Sequence, residues 1–206
     1  YLTHCPECPE YFKLGNYYYL VYSRYSEFQQ TFYRVSKNPH GPWESRKSDT
    51  LDGRRFYAGK SCTDGKRRMA FAWIPYRLDH LANERWVWGG DIGSPHEYIS
   101  LDDGTLAVKL PEEVAGSYSN ANKFEIKNSF NNWSFDSSGS VNAKAISTYS
   151  SCFLVGPNRD DDLIFETNLT INEGTTAAGI LLESSNDLLR TYYLSIEPLK
   201  SRVMLN

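Results

Sequence analysis

The sequence predicts an all-β fold in which two sheets of the propeller-blade type precede a β-sandwich. The 206 residues include 15 Tyr, 10 Phe and 5 Trp but only 2 Met, a bias toward residues that strands prefer. Short runs of alternating apolar and polar residues recur along the chain, separated by Gly, Asn, Asp and Pro. No segment has the periodicity of a convincing amphipathic helix. Together these observations favour an all-β chain.

The first predicted sheet begins after the turn signal Leu14-Gly15-Asn16. Residues 17–23 form an aromatic and β-branched run, and residues 30–36 alternate polar with apolar side chains, as a half-buried strand does. The segment at residues 38–42, rich in Pro and Gly, then ends the set.

A second set repeats this plan. Residues 55–61 lead to the hairpin signal Asp64-Gly65 and then to the apolar run at residues 68–74. The spacing of roughly 45 residues per set is typical of a propeller blade. Two blades alone would leave faces and edges that neighbouring blades normally cover. We therefore expect the chain to be a piece of a longer protein, with further blades upstream.

The remaining sequence predicts a few loops, a linker and a sandwich. Residues 75–95 are rich in loop signals, Asp102-Asp103-Gly104 predicts a hairpin, and residues 112–122 form a polar linker. The later runs that predict strands of an antiparallel sandwich are residues 124–126, 133–135, 146–149, 163–170, 179–182 and 191–196. We expect residues 1–115 to be the last blades of a propeller domain and residues 116–206 an incomplete β-sandwich.

Charge and hydropathy exclude two classes of partner. The formal net charge is -3, so the chain has no basic footprint for nucleic acid. The basic residues at 66–68 stand next to the Asp64-Gly65 turn and indicate the solvated end of a hairpin. No run approaches the roughly 18 apolar residues that a transmembrane helix needs. We expect a soluble chain without a nucleic-acid or membrane partner.

The stretch H-C-P-E-C-P-E at residues 4–10 supports two interpretations. The first is a metal or redox clip formed by His4, Cys5 and Cys8. A structural zinc site usually has a second pair of ligands, whereas Cys62 and Cys152 stand alone. A redox C-x-x-C motif should begin a helix, but the downstream run looks extended. This interpretation is disfavoured, and we expect neither a metal nor a cofactor.

The second interpretation is a carboxylate held in place for chemistry. Pro6 and Pro9 flank Glu7, and their fixed φ angles limit how the segment can move. Such restriction suits an acid that must be aimed at a substrate. On spacing alone, a surface carboxylate in a proline-rich loop remains the plainer alternative.

A series of short motifs runs through the first 115 residues. Glu7-Cys8-Pro9 is followed by an acidic residue and an aromatic pair, and the chain then carries G-P-W, D-G-R-R-F-Y-A, F-A-W, W-G-G, S-P-H-E and D-G-T-L at residues 41–43, 52–58, 71–73, 88–90, 94–97 and 103–106. This series resembles glycoside hydrolase family 32, the group of invertases, levanases and inulinases. The resemblance implies a five-bladed propeller joined to a β-sandwich, of which this chain would hold the last two blades and part of the sandwich.

The resemblance also implies an activity. The family cleaves terminal β-fructofuranosyl bonds in sucrose or fructans with retention of configuration and without a metal, and Glu7 would be its general acid/base. Retaining hydrolysis needs two carboxyl groups about 5 to 5.5 Å apart, one as nucleophile and one as acid/base. The expected partner is thus a carbohydrate, sucrose or a fructo-oligosaccharide.

Two features depart from the family pattern. The motif that carries the nucleophilic aspartate and the R-D-P motif, whose aspartate helps to bind the fructosyl unit, are both absent and are expected upstream of Tyr1. In addition, Asp52 directly precedes Gly53, where many relatives place one residue between the two. The role of Asp52 is therefore expected to be a supporting one.

The other candidate residues are expected around Glu7 and along the pocket. Aromatic faces suit sugars because one side of a furanose ring presents C–H groups. Tyr57, Trp73 and Trp88 are the candidates for substrate contact, although a role in the hydrophobic core competes for each of them. Three further residues are expected to support Glu7 from behind: Glu10 as a structural carboxylate, Cys8 as a small packed side chain, and His4 as a hydrogen-bonding neighbour.

Two functions of other classes stay open. A propeller and sandwich can hold glycans without cleaving them, so a non-catalytic carbohydrate-binding module is one alternative. A different carbohydrate-active propeller, such as an arabinosidase, is the other, although the E-C-P, F-Y-A and W-G-G segments favour the fructosidase.

Overall fold

A computed structural model describes residues 6–24, 29–53, 55–77, 86–118, 125–130, 132–135, 141–144, 151–155, 164–182 and 191–205. The chain forms two compact units, Tyr1–Ser117 and Tyr118–Asn206. The strand pairs found in the described part are all antiparallel. The predicted all-β class is confirmed.

The strands of the first unit are β1 (Pro6–Leu14), β2 (Tyr17–Arg24), β3 (Gln30–Ser36), β4 (Thr50–Leu51), β5 (Tyr57–Thr63), β6 (Arg68–Arg77), β7 (Trp86–Ile92), β8 (His96–Ser100) and β9 (Leu106–Lys109). A five-residue helix, α1 (Glu112–Gly116), follows. The strands of the second unit are β10 (Glu125–Phe130), β11 (Asn132–Phe135), β12 (Val141–Lys144), β13 (Ser151–Val155), β14 (Ala178–Leu182), β15 (Tyr192–Glu197) and β16 (Arg202–Leu205), with a 3₁₀ turn at Pro198–Lys200.

The first sheet is a four-stranded meander in the order β1-β2-β3-β4. Its first turn contains Gly15, whose φ of 56° lies in the left-handed region that a side chain disfavours. Alternate residues of β2 point to one face, where Tyr17, Tyr19 and Val21 are buried. The aromatic run that predicted this strand therefore supplies the core.

The second sheet also has four strand positions, but two strands share one of them. Its order is β5-β6-β8-β9, and β7 also pairs with β6. Trp73 of β6 pairs with Tyr57 on one side and with Ile92 on the other, whereas Ala70 pairs with His96. Strands β7 and β8 therefore lie end to end along the same edge of β6. The loop prediction for residues 75–95 was wrong for Trp86–Ile92, because these residues complete this edge.

The core of the first unit lies between the two sheets. Its cluster comprises Phe12, Tyr17, Tyr19, Val21, Tyr33, Val35, Leu51, Phe56, Ala70, Ala72, Tyr98 and Leu106. The rings of Phe12 and Tyr98 stack with centroids 5.9 Å apart and thereby join β1 to β8. The Tyr19 hydroxyl lies 2.6 Å from Ser100 Oγ. The packing of the first sheet on the second is thus both apolar and hydrogen bonded.

The hairpin between β5 and β6 was predicted to be solvated, but its basic residues also contact other parts of the first unit. Arg67 forms a bidentate pair with Glu113 of α1, with distances of 2.6 and 3.0 Å. This pair lowers the pKa of Glu113 to about 2, mainly through the hydrogen bonds from Arg67. Arg68 turns inward, with its guanidinium 4.2 Å from the centroid of the Phe12 ring. The polar linker therefore begins as a helical turn tied to this hairpin.

The second unit contains the strand pairs β10-β13 and β11-β12 and the meander β14-β15-β16. Strands β10, β11, β14 and β15 overlap predicted runs, whereas β12 and β13 overlap none. The run at residues 163–170 was wrong as a strand, since residues 164–170 are irregular. An alternating pattern specifies a strand only where a neighbour completes the ladder. The run at residues 146–149 lies outside the described residues.

Candidate functional site

Glu7 lies at the beginning of β1, next to a β-bulge. Glu7 pairs with Ser23 of β2, but Glu10 pairs with Val21, so β1 contains one extra residue between them. Cys8 takes up this residue with a φ of 50°. Residues three apart normally point to opposite faces of a strand, whereas the bulge brings Glu7 and Glu10 to the same face. Both carboxylates are therefore on the side of the sheet that faces the core.

The core changes from apolar to polar at the row of residues that contains Glu7. This row crosses the sheet through Ser23 and Thr31 to Leu51. Ser23 and Thr31 have no exposed surface, and their hydroxyl oxygens lie 3.1 Å apart. By contrast, the pair Val21 and Tyr33 farther along the sheet belongs to the hydrophobic cluster. The sheet thus places Glu7 beside buried hydroxyl groups.

The first strand of the second sheet has the same bulge in the same place. Tyr57 pairs with Trp73, but Lys60 pairs with Phe71, and Ala58 takes up the extra residue with a φ of 56°. Tyr57 therefore occupies in β5 the position that Glu7 occupies in β1. Nothing in the amino-acid identities of the two segments predicts this repeat.

The two aromatic candidates of this sheet differ in accessibility. Tyr57 is 3% exposed, which leaves little of its ring for a ligand. Trp73 is partly exposed, and its ring centroid lies 5.9 Å from that of Tyr57 at 60°. Of these two candidates, Trp73 therefore has the more accessible ring.

The W-G-G segment contributes to the placement of Trp73. A Cβ atom on Gly90 would overlap the carbonyl oxygen of Ile74 and come within 2.8 Å of Nε1 of Trp73. Gly90 has a φ of 154° and lies in β7 opposite Pro75. Trp88 belongs to the same strand, and its side chain lies outside the described residues. The glycine is thus needed where β7 passes close to β6.

Glu10 has a structural environment. Its carboxylate accepts hydrogen bonds from the backbone N–H and the hydroxyl of Ser61 at 2.9 and 2.7 Å, and pairs with Arg68 at 3.2 Å. Lys60 Nζ donates to the carbonyl oxygen of Pro9 at 2.8 Å. These contacts fasten β1 to the hairpin of β5 and β6. A carboxylate whose oxygens are occupied in this way is poorly suited to exchanging protons with a substrate.

The Glu7 carboxylate differs from that of Glu10. Glu7 is partly buried, and within the described part of the chain no hydrogen bond or ion pair involves its oxygens. Cys8 behind it is partly buried and carries a free thiol. His4 lies outside the described residues. Of the two carboxylates on this face, Glu10 is the one that hydrogen bonds among the described residues hold in place.

The described residues also include a carboxylate–imidazole pair that the sequence interpretation did not anticipate. Asp52 follows Leu51, the last residue of the row that contains Glu7, and has a φ of 58°. Nε2 of His96 lies 2.7 Å from Oδ2 of Asp52, and the imidazole stacks on Phe56 with centroids 4.7 Å apart. The signal available in the sequence was a histidine within S-P-H-E, which had no assigned role.

The titration of this pair follows from its hydrogen bond. The bond to His96 lowers the pKa of Asp52, and the backbone N–H of Gly53, 2.6 Å from Oδ1, adds to this effect. The same bond to Asp52 raises the pKa of His96, although partial burial of the ring opposes the shift. The pair joins the loop after β4 to the first residue of β8.

A cavity of about 570 Å³ lies at the other end of the first sheet. It is lined by residues that include Tyr17, Lys37, Glu44 and Arg46. Glu44 and Arg46 form an ion pair with a distance of 2.9 Å. This cavity contains none of the residues proposed from the sequence, so it does not correspond to the Glu7 site.

Two kinds of feature are absent from the described residues. None of its helices is long and apolar enough to cross a membrane. No group of three or more His, Cys, Asp or Glu side chains among the described residues could hold a metal ion. In comparisons with known proteins, neither a family model nor a curated protein matches the chain.

Proposed function

We propose that this chain is part of a retaining glycoside hydrolase that cleaves terminal β-fructofuranosyl bonds in sucrose or fructans, with Glu7 as general acid/base. The observation that carries the proposal is the contrast between two carboxylates on one face of β1. Glu10 is fixed by Ser61 and Arg68, whereas the oxygens of Glu7 make no such contacts among the described residues. An acid/base must reach its substrate, and a carboxylate without such contacts is the better candidate for that role.

The fold supports the same proposal at a coarser level. Two consecutive antiparallel sheets, each with four strand positions and a bulged first strand, are what two neighbouring blades of a propeller would supply. In such an arrangement the first strand of each blade lines the central axis, where paired acids would meet. We propose that the strand pairs and the irregular segment of the second unit belong to a β-sandwich.

The chemistry assigned to Glu7 has two steps. In the first, its carboxyl group donates a proton to the oxygen of the leaving group while a second carboxylate attacks the anomeric carbon. In the second, its carboxylate takes a proton from the water that releases fructose. The proposal requires the attacking aspartate to come from residues outside these 206. Trp73 is proposed to contact the sugar, with Tyr57 behind it.

The proposal is tested by Glu7→Gln in a polypeptide that includes the upstream residues. Gln keeps the size of the side chain but can neither donate nor accept the proton, so kcat on sucrose should fall by roughly 10²- to 10⁴-fold. The melting temperature should stay within about 2 °C of the parent, because the Glu7 carboxylate has no hydrogen bond or ion pair among the described residues.

The matched control is Glu112→Gln, which neutralises an exposed glutamate in α1. This variant should keep full activity. The 206-residue chain alone should release no fructose, since it would carry only one of the two carboxyl groups. Near-normal turnover by the Glu7→Gln variant would refute the assignment. Activity on arabinosides without activity on fructosides would favour the other carbohydrate-active propellers, and fructo-oligosaccharide binding without any turnover would favour a binding module.

A further inference from the structure

Buried hydroxyl groups connect the bulge of β1 with the bulge of β5. The Thr31 hydroxyl donates to the carbonyl oxygen of Phe56 at 2.7 Å, immediately before the β5 bulge. It also accepts a longer bond from the N–H of Gly59, at 3.4 Å, immediately after Ala58. Because a hydroxyl has one proton, which Thr31 gives to Phe56, Ser23 must be the donor in the 3.1 Å contact between the two hydroxyls. Thr31 is therefore bonded to both sides of the β5 bulge.

The backbone of β5 is adapted to this contact. A Cβ atom on Gly59 would lie 3.1 Å from Oγ1 and 3.2 Å from Cγ2 of Thr31, closer than ordinary packing allows. The absence of a side chain at Gly59 lets the threonine approach the strand. On the other side, Ser23 is the residue that pairs with Glu7. A continuous series of contacts thus runs from the strand position opposite Glu7 to the backbone that carries Tyr57.

Packing alone does not explain these hydroxyls. Both residues are fully buried, and the neighbouring pairs on the same face of these two strands fill the core with Val and Tyr side chains. Burying a hydroxyl has a free-energy cost unless it is hydrogen bonded, and an apolar side chain would avoid that cost. What the hydroxyls add is direction, because a hydrogen bond fixes the position of the β5 backbone relative to β2.

We propose that Thr31 is a positioning residue of the Glu7 site. Its hydrogen bonds hold the β5 bulge in place relative to β2, the strand that pairs with β1 at Glu7. The effect of Thr31 on catalysis rests on the proposed function. Its effect on the position of the β5 backbone rests on the hydrogen bonds alone. Thr31 does not touch the substrate in this scheme. It sets the distance between the proton donor and the aromatic pair of Tyr57 and Trp73.

The test compares Thr31→Val with Thr31→Ser in the polypeptide that includes the upstream residues. Valine keeps the shape but loses the bonds to Phe56 and Gly59, and serine keeps them. We expect Thr31→Val to lower kcat on sucrose about tenfold with a smaller change in KM, because misplacement of reacting groups slows the chemical step. Thr31→Ser should restore kcat to within about threefold of the parent. Equal kcat values for the valine and serine variants would overturn the inference.

A second measurement does not depend on the proposed function. In the 206-residue chain, hydrogen exchange of the Gly59 N–H should be about tenfold faster in Thr31→Val than in Thr31→Ser, because valine removes its acceptor. If Glu7→Gln were fully active, the proposed function would fail, and this exchange difference would still decide the structural part. Unchanged exchange in Thr31→Val would overturn it.

If Thr31→Val does not fold, the variant Ser23→Ala tests the inference in its place. This change leaves the bonds from Thr31 to β5 in place and removes the link to the strand opposite Glu7. It should lower kcat by about threefold to tenfold with Gly59 exchange unchanged. A parental kcat in this variant would contradict the role of the hydroxyl pair in positioning Glu7.

Discussion

At the scale of single residues, the Asp52–His96 pair is a contact whose strength depends on pH. The Asp52 side chain is 47% exposed and that of His96 is 20% exposed. Solvent screening at Asp52 keeps the contribution of such a pair to roughly 1 kcal/mol or less. The direction of its pH dependence nevertheless follows from the two pKa shifts.

The raised pKa of His96 stabilises the fold fully below the ordinary histidine value of 6.5, and this contribution is lost as the pH rises through the folded-state pKa. The lowered pKa of Asp52 stabilises the fold above the ordinary value of 3.8, and this contribution is lost as the pH falls through the folded-state pKa. Both contributions are present together between about pH 4 and 6.5.

Asp52→Asn tests this window. Asn tolerates the left-handed backbone at this position and still offers an oxygen to the N–H of Gly53, so the change removes mainly the charge. The free energy of unfolding of the variant should fall below that of the parent by up to about 1 kcal/mol at pH 5.5, and by less at pH 8.5. Urea unfolding at the two pH values measures the difference. Asp102→Asn, at an exposed site, is the control, and an equal loss from Asp52→Asn at both pH values would contradict the pairing.

At the scale of elements, the two sheets have the same bulge in their first strands, although different residues form it. Each first strand begins with a bulge, at Cys8 in β1 and at Ala58 in β5. Neither residue is a glycine, although both have φ values near 50–56° that side chains disfavour. Such strain persists only where surrounding contacts hold it. The Thr31 bonds at β5 and the Glu10 contacts at β1 are contacts of this kind.

Because β6 and β7 lie close together, we expect substitutions of two adjacent glycines in β7 to differ in their effect on stability. Gly90→Ala should lower the free energy of unfolding by about 1–3 kcal/mol, because its methyl group would collide with the carbonyl of Ile74 and the indole of Trp73. A methyl group on Gly89 would meet nothing within 4 Å. Gly89→Ala is therefore the matched control and should change stability by less than about 1 kcal/mol.

Thermal or urea unfolding of both variants, together with tryptophan fluorescence, checks this difference. The collision should also shift the fluorescence of Trp73 in Gly90→Ala alone. Equal stability of the two variants would show that β7 does not pass as close to β6 as described.

At the scale of the whole molecule, the hydrophobic core that the described residues form lies within one unit. The buried hydrophobic side chains of the described residues run from Phe12 to Leu106, within Tyr1–Ser117. We therefore expect residues 1–117 to fold without residues 118–206. The amide resonances of the shortened chain should superimpose on those of the same residues in the full chain. A collapsed, poorly dispersed spectrum would show that the first unit depends on the second.

The sequence specified those features that depend on local chemistry. Turn signals at Gly15 and Asp64-Gly65 and the alternation in β2 and β3 predicted strands and hairpins that the fold contains. These features depend on residues close together in the chain, where propensity and spacing are informative.

Features that depend on pairing between distant residues were not predictable. Residues 164–170 alternate like a strand but are irregular, while Trp86–Ile92 looked like a loop and is a strand. The contact between Asp52 and His96 spans 44 positions, and neither residue has a sequence context that indicates the other. The same holds for Glu10, whose partners Ser61 and Arg68 belong to another sheet.

The bulge in β1 has a consequence for how the E-C-P segment should be compared with other sequences. The extra residue between Glu7 and Glu10 determines on which side of the strand Glu7 emerges. In a regular ladder with the same three-residue interval, Glu7 would point away from Ser23 and Thr31, whereas deleting the extra residue would keep Glu7 on the side of Glu10. The spacing between the two acidic residues is therefore informative only together with the bulge: a chain that places them two apart in a regular strand would direct its carboxylate to the same side, and one that places them three apart without a bulge would not.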